Sequence, residues 1–221
     1  MGKSKQGRSA AAKKTKQDTF LKKEWRRVYI PGISGVKNVG HTILHRPARG
    51  KQTIDYVNKR IFEVAHIDMV GENGCAERIY KWQTVSADEN GLYTRFAGMR
   101  LSSDKITGDL RKYRTLVETS VDAKTTDDYI LRVFCLTFTK KVNAHKKACY
   151  VNQSTARKIR GVMSSVMTKA ITSSTVQDML KILADEKMEN AIVEECKEVF
   201  QIEKPLITKV KVLKAPALSA E

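Results

Sequence analysis

The stretch Asp127-Asp128-Tyr129-Ile130-Leu131-Arg132-Val133-Phe134-Cys135-Leu136-Thr137-Phe138-Thr139-Lys140-Lys141 decides how the rest of the chain is read. From Tyr129 to Thr139 it is β-branched, aromatic or aliphatic, with Arg132 as the single charge. Those residue types fit a pleated, packed surface, and the run is too short to cross a bilayer, so it reads as a central strand. It stops at a lysine pair. From there to Gln177 no Asp or Glu occurs, whereas Lys140, Lys141, Lys146, Lys147, Arg157, Lys158, Arg160 and Lys169 do. A buried strand therefore runs out into a positive surface, and that junction is where function is expected.

The totals narrow the partner. A chain of 221 residues that is 41% hydrophobic can bury one sizeable core with appendages, or two small ones. A formal net charge of +17 costs self-repulsion in the free protein and points to a polyanion: nucleic acid, an anionic membrane or an acidic partner. Cys75, Cys135, Cys149 and Cys196 form no Cys-x-x-Cys pair, so neither a disulfide framework nor a zinc pattern is expected, but free thiols in a reducing compartment. No apolar stretch approaches a membrane span and the first residues lack a signal-peptide core, so the expectation is a soluble intracellular protein. Gln6 stands where a myristoylation signal needs Ser or Thr.

Residues 1–19 hold no Val, Ile, Leu, Phe, Tyr or Trp, and their cations include Lys13, Lys14 and Lys16. Nothing there offsets the entropy of ordering, so a disordered basic arm is expected, threading between phosphates or serving only as a solubilising tail. Order should begin at Phe20. In Lys22-Lys23-Glu24-Trp25-Arg26-Arg27, Trp25 either anchors the arm to the core or stacks on a base. Val28-Tyr29-Ile30 reads as a short strand stopped by Pro31-Gly32, and the spaced glycines from Gly32 to Gly40 read as turn chemistry. Strands are expected at 60–67 and 77–85, the latter with Tyr80, Trp82 and Thr84 on one face. Asn90-Gly91 signals a hairpin into 92–96. Ser102 or Ser103 caps a short helix bearing Ile106, Leu110 and Tyr113. Residues 116–121 should pair with 129–139.

Ser154 is expected to cap a helix whose stripe is Ile159, Val162, Met163, Val166 and Ala170. Arg157, Lys158 and Arg160 crowd its first turns, where cations oppose the helix dipole. A second helix starts near Ser174 with Gln177 placed for a capping box, and a third covers 186–200 with Met188, Ile192, Cys196 and Val199 apolar. Charge inverts here: from Asp178 to Glu203 there are eight acidic residues and three lysines. These helices should face solvent or a basic protein. Pro205 ends them, and Leu206-Ile207-Thr208-Lys209-Val210-Lys211-Val212-Leu213-Lys214 alternates like a strand returning to the sheet. No zincin, nucleophile-elbow or Walker motif occurs, so no enzyme, metal or cofactor is expected.

Several of these segments carry a resemblance. Lys22-Lys23-Glu24-Trp25, Arg60-Ile61-Phe62-Glu63-Val64, Phe96-x-Gly98-Met99-x-Leu101-x-x-Asp104-Lys105 and above all Val121-Asp122-Ala123-Lys124-Thr125-Thr126-Asp127-Asp128-Tyr129, running on through the strand to Lys141, resemble the small-subunit ribosomal proteins of the S-three-a (e-S-one) family of archaea and eukaryotes. The likeness covers roughly residues 18–216. It implies an α+β protein with a β-barrel-like core, packed C-terminal helices and a disordered basic N-terminal arm. It implies a place on the small-subunit platform, near the mRNA exit. The expected partners are small-subunit ribosomal RNA, neighbouring platform proteins, initiation factor three and exiting mRNA, without a membrane. Asp128 departs from the family, which usually has Gly there, and the chain stops soon after Lys214, where many eukaryotic members carry a longer tail.

The resulting expectation is a non-catalytic structural constituent of the small (40S) ribosomal subunit that supports translation in the cytoplasm, with nucleolar assembly in a eukaryote. The alternative is a non-permanent RNA-binding translation or regulatory factor. The expected organisation is an arm (1–19), a β-rich core (20–150), a helical region packed on it (151–204) and a returning strand with tail (205–221). RNA phosphates would be neutralised by Lys13, Lys14, Lys16, Lys22, Lys23, Arg26 and Arg27, with Trp25 beside them, and by a second cluster of Lys140, Lys141, Lys146, Lys147, Arg157, Lys158 and Arg160. Such clusters read backbone and shape, not base identity.

Overall fold

The computed structural model describes residues 18–32, 35–45, 49–71, 75–88, 90–141 and 147–216. Among them, eight strands form one mixed sheet: β1 (Glu24–Gly32), β2 (Gly35–Leu44), β3 (Ile61–Ala65), β4 (Arg78–Ala87), β5 (Gly91–Leu101), β6 (Leu116–Lys124), β7 (Ile130–Phe138) and β8 (Leu206–Lys214). Their order is β2-β1-β5-β8-β7-β6, with β4 also on β5 and β3 on β4. The helices are α1 (Thr53–Val57), α2 (His66–Val70), α3 (Ser103–Asp109), α4 (Gln153–Thr172), α5 (Val176–Ala184) and α6 (Lys187–Cys196). This is the expected α+β class.

The sheet branches at β5 and does not close. One edge of β5 pairs with β4; the other is shared, with β1 parallel to residues 91–93 and β8 antiparallel to residues 98–100. Closing a barrel needs the two end strands to pair, but β2 and β6 end different arms of a branched sheet and no pairing among the described residues joins them. Gly98 marks the handover. Its φ is +153°, a Cβ there would lie 2.6 Å from the Val210 carbonyl oxygen, and the ladder to β4 slips a residue beside it. Only glycine accepts both the backbone angle and the approach.

The quoted run is β7, a central strand as read. It pairs with β6 from Leu116↔Phe138 to Lys124↔Ile130 and on its other edge with β8. Asp128 sits in the connecting turn at φ +62°, the left-handed region that glycine takes freely and Asp better than most residues. The turn keeps a glycine-like backbone with an Asp in place, and the carboxylate pairs with Lys124.

Two glycine readings are corrected. The stretch read as turn chemistry is a strand: Gly35–Leu44 forms β2 against β1, with Gly35 and Gly40 at positive φ and a register shift opposite Val28/Tyr29. The β4–β5 hairpin exists, but its turn is closed between Asp88 and Gly91, whose backbones exchange bonds of 2.8 and 3.3 Å. Gly91 is thus the first residue of β5. It is needed for close approach, since a Cβ would lie 2.6 Å from the Tyr29 ring and 2.7 Å from the Arg27 carbonyl oxygen.

The C-terminal helices α4, α5 and α6 cover one face of the sheet. α4 lies across β6 and against α6, burying Ile159, Met163, Val166, Met167 and Ile171. Each such side chain contributes about 1.5–3 kcal/mol relative to exposure. Residue 152 precedes the helix, so Asn152 takes the cap position expected at Ser154, without a side-chain cap bond. α5 is capped by Thr175, which accepts from the Asp178 N–H at 3.2 Å, one residue later than read. α6 stops at Cys196, short of residue 200. The expected alternation in β4 holds, with Tyr80, Trp82 and Thr84 buried. One apolar cluster joins Trp82, Val133 and Val210 of the sheet to Met163, Leu180 and Ile192 of the helices. A smaller one, Val28, Leu44, Val57 and Leu92, holds the β1–β2 end. No described helix is long and apolar enough to cross a membrane.

Candidate nucleic-acid interface

Two groups of the described cations contrast. One is consumed inside the fold. Arg78 is buried and reaches Glu189 at 3.0 Å and Glu186 at 3.1 Å; Glu186 also holds Lys204, and Arg114 pairs with Glu203. Burial pushes the Glu189 carboxyl up from its ordinary value, with Arg78 pulling the other way. For Glu186 the neighbouring Lys204 and Arg78 outweigh burial and hold its carboxyl low.

The second population has no such partners. Lys140, Lys141, Lys147, Arg157, Lys158 and Arg160 are exposed, and none forms an ion pair among the described residues. The fold fixes where they stand. The Thr139 hydroxyl at the end of β7 donates to the Cys149 carbonyl at 2.6 Å, the Cys149 N–H donates to the Tyr113 carbonyl at 2.8 Å, and the Val151 N–H donates to the Thr115 hydroxyl at 3.0 Å. The segment leading into α4 is therefore stitched to the end of the β6–β7 hairpin. Arg157, Lys158 and Arg160 begin only in the second turn of α4, so their conflict with the helix dipole, which fades within the first turn, is small. Lys140 lies at the border of this surface. Its N–H donates to the Gln201 carbonyl at 3.0 Å, and it shares a shallow depression with Asn190, Glu194 and Glu203. Lys146 lies outside the described residues.

The other expected cluster lies at the start of β1. A 3-10 turn over Phe20–Lys22 leads into the strand. Trp25 is 54% exposed and meets Phe20 edge-on at 5.9 Å, so it does not anchor the arm in the core. Lys23 lies over the Phe20 ring at 6.0 Å, Arg26 pairs with Glu24 at 3.4 Å, and Arg27 points outward. Lys22 has a described backbone only, and Lys13, Lys14 and Lys16 lie outside the described residues.

A third basic surface was not singled out from the sequence. The solvent face of the sheet presents Lys81, Arg95, Arg100, Arg132, Lys209 and Lys211 against Glu63, Glu118 and Asp122. Arg100 and Lys81 each reach Glu63 at 2.8 Å, and their hydrogen bonds hold that carboxyl below its usual range. Arg132 grips Asp122 with two bonds of 2.6 Å, lowering it likewise. Lys211 instead lies over the Phe134 ring at 5.6 Å. The alternation of Lys209 and Lys211 was a visible signal for this face; the Gly98 bulge, which puts Arg95 and Arg100 on the same side across an odd spacing, hid the rest. No group of His, Cys, Asp and Glu among the described residues could hold a metal ion.

What this arrangement can do is bind extended negative charge at several points on a rigid body. The Ribosomal S3Ae family profile matches residues 11–216. Small ribosomal subunit protein eS1 of Artemia franciscana is 35% identical over 218 residues, covering 97% of this chain and 81% of that protein. The proteins of the same name from Periplaneta americana, at 34%, and Anopheles gambiae, at 35%, cover 97% of this chain and 82% and 81% of their own lengths. With nearly the whole chain matched and the quoted hairpin, its glycine-like turn and its basic exit in place, the chain belongs to the ribosomal S3Ae family.

Proposed function

We propose that the chain is a structural, non-catalytic constituent of the small ribosomal subunit, held on the platform by ribosomal RNA near the mRNA exit. The observation that supports this most is the contrast between the two populations of cations. Arg157, Lys158 and Arg160 stand on a rigid helix with no carboxylate among the described residues to satisfy them, which suits phosphate neutralisation and counterion release. Neighbouring platform proteins would meet the acidic end of α6 and the turn after it, where Glu194, Glu195 and Glu198 are exposed without ion pairs among the described residues. Initiation factor three and exiting mRNA come within reach of such a location, in cytoplasmic ribosomes assembled in the nucleolus if the source is eukaryotic.

The test is the salt dependence of RNA association. Arg157→Gln, Lys158→Gln and Arg160→Gln together should weaken binding and flatten the log–log slope by roughly 0.7–0.9 for each phosphate no longer neutralised. An unchanged slope contradicts the assignment. The alternative, a factor that visits the ribosome, is separated by gradient sedimentation: a constituent stays with the small subunit through a high-salt wash, a visitor is stripped. Charge reversal at Glu194, Glu195 and Glu198 should lose a protein neighbour and leave RNA binding intact.

A further inference from the structure

One surface carries more chemistry than phosphate binding requires. The outward residues at the start of β1 and its neighbours form an open groove lined by Trp25, Arg27, Tyr29, His41, Asn90 and Tyr93, with Arg26 and Val36 at its margin. Among the described residues, no carboxylate lines it. The pairing explains the assembly: Arg27 lies between His41 of β2 and Gly91 of β5, and the next outward position pairs Tyr29 with Tyr93. Because Gly91 has no side chain, the Tyr29 ring lies against its backbone. Tyr29 and Tyr93 are stacked, 5.5 Å between centroids and 21° between planes.

These aromatics are not core. Trp25 is 54% and Tyr93 38% exposed, whereas the apolar cluster beneath this end of the sheet is complete without them. Trp25, Arg27 and Tyr29 occupy successive outward positions of β1, so they repeat about every 6.6 Å, twice the strand rise. That is about twice the 3.4 Å step of stacked bases, leaving room for one base between successive planar groups. Stacking on such groups is indifferent to base identity, and Arg27 supplies the charge for the backbone.

We propose that this groove binds two or three consecutive unpaired ribonucleotides by base stacking, as a site distinct in chemistry from the phosphate-binding surface of α4. The proposal rests on the reading of the chain as an RNA-binding ribosomal protein and adds the substrate class: single strand, not helix.

The protein offers its own reporter. Of its two tryptophans, Trp82 is fully buried and Trp25 is exposed in the groove. Titrating the full chain with hexauridine should quench Trp25 fluorescence, and Tyr93→Ala should weaken that binding about tenfold or more while Tyr93→Phe retains it. Neither should change affinity for a base-paired RNA hairpin, which the α4 triple variant should reduce. Urea unfolding of each variant guards against misfolding. Hexauridine binding that is indifferent to Tyr93→Ala and Trp25→Ala overturns the proposal and leaves general RNA binding standing. Failure to bind hexauridine or hairpin removes the broader reading as well. Tighter quenching by an acidic peptide than by hexauridine also overturns it, making the groove a protein-docking surface.

Discussion

Arg78 and Arg157 bear the same charge and have opposite lives. Arg78 is enclosed, with its carboxylate partners 108 and 111 residues away in sequence. Arg157 stands on α4 in water, with no acid for it among the described residues. The difference separates charge that holds the fold from charge held out for a partner, and it gives the two regions different responses to mutation.

The largest effect is expected inside. Arg78→Met leaves the Glu189 carboxylate buried without its main partner, which should cost about 3–5 kcal/mol in urea unfolding. A cost under about 1 kcal/mol would mean that this network is not structural and would erase the contrast. Next comes Gly98→Ala, which should cost about 1–3 kcal/mol because it joins an unfavourable backbone angle to a Cβ driven against the Val210 carbonyl.

The carboxylates sharpen the comparison through pH. Glu63 is held low by Lys81 and Arg100, so its contribution is present above its ordinary value of 4.5 and is lost as pH falls through the lower folded value. Glu63→Gln should remove part of the acid-side loss. Glu189 is raised, so the folded protein binds its proton more tightly than the unfolded chain, and stability falls as pH rises from 4.5 through the folded value. Glu189→Gln should flatten that limb, measured by urea unfolding from about pH 4 to 7. The smallest effect belongs outside: the triple glutamine variant of Arg157, Lys158 and Arg160 should unfold within about 0.5 kcal/mol of the parent. A larger loss would place those cations among the structural ones.

The β6–β7 hairpin was legible because its signal is local: an apolar run, a polar turn and a second strand-like stretch just before it, which pair from Leu116↔Phe138 to Lys124↔Ile130. β2 was not, because glycine signals a turn when its angle is unknown; here Gly35 and Gly40 sit inside a strand at positive φ. α1 and α2, five residues each, are too short to show a helical period. The cations at the exit of β7 could be read as a group, since they are neighbours in sequence. Which cations are already paired could not, because Arg78 finds Glu189 only through the tertiary fold. The aromatic groove is half visible in the sequence: Trp25 stands among basic residues, while Tyr29, His41 and Tyr93 meet it only once β2 and β5 flank β1.

β8 is inserted between β5 and β7, not added at an edge. During synthesis every other strand of the sheet emerges first, and until residue 214 is available β7 and part of β5 present unpaired backbone. The nascent chain therefore carries two sticky seams that its own final strand must fill, and until it does they are open to pairing with other chains.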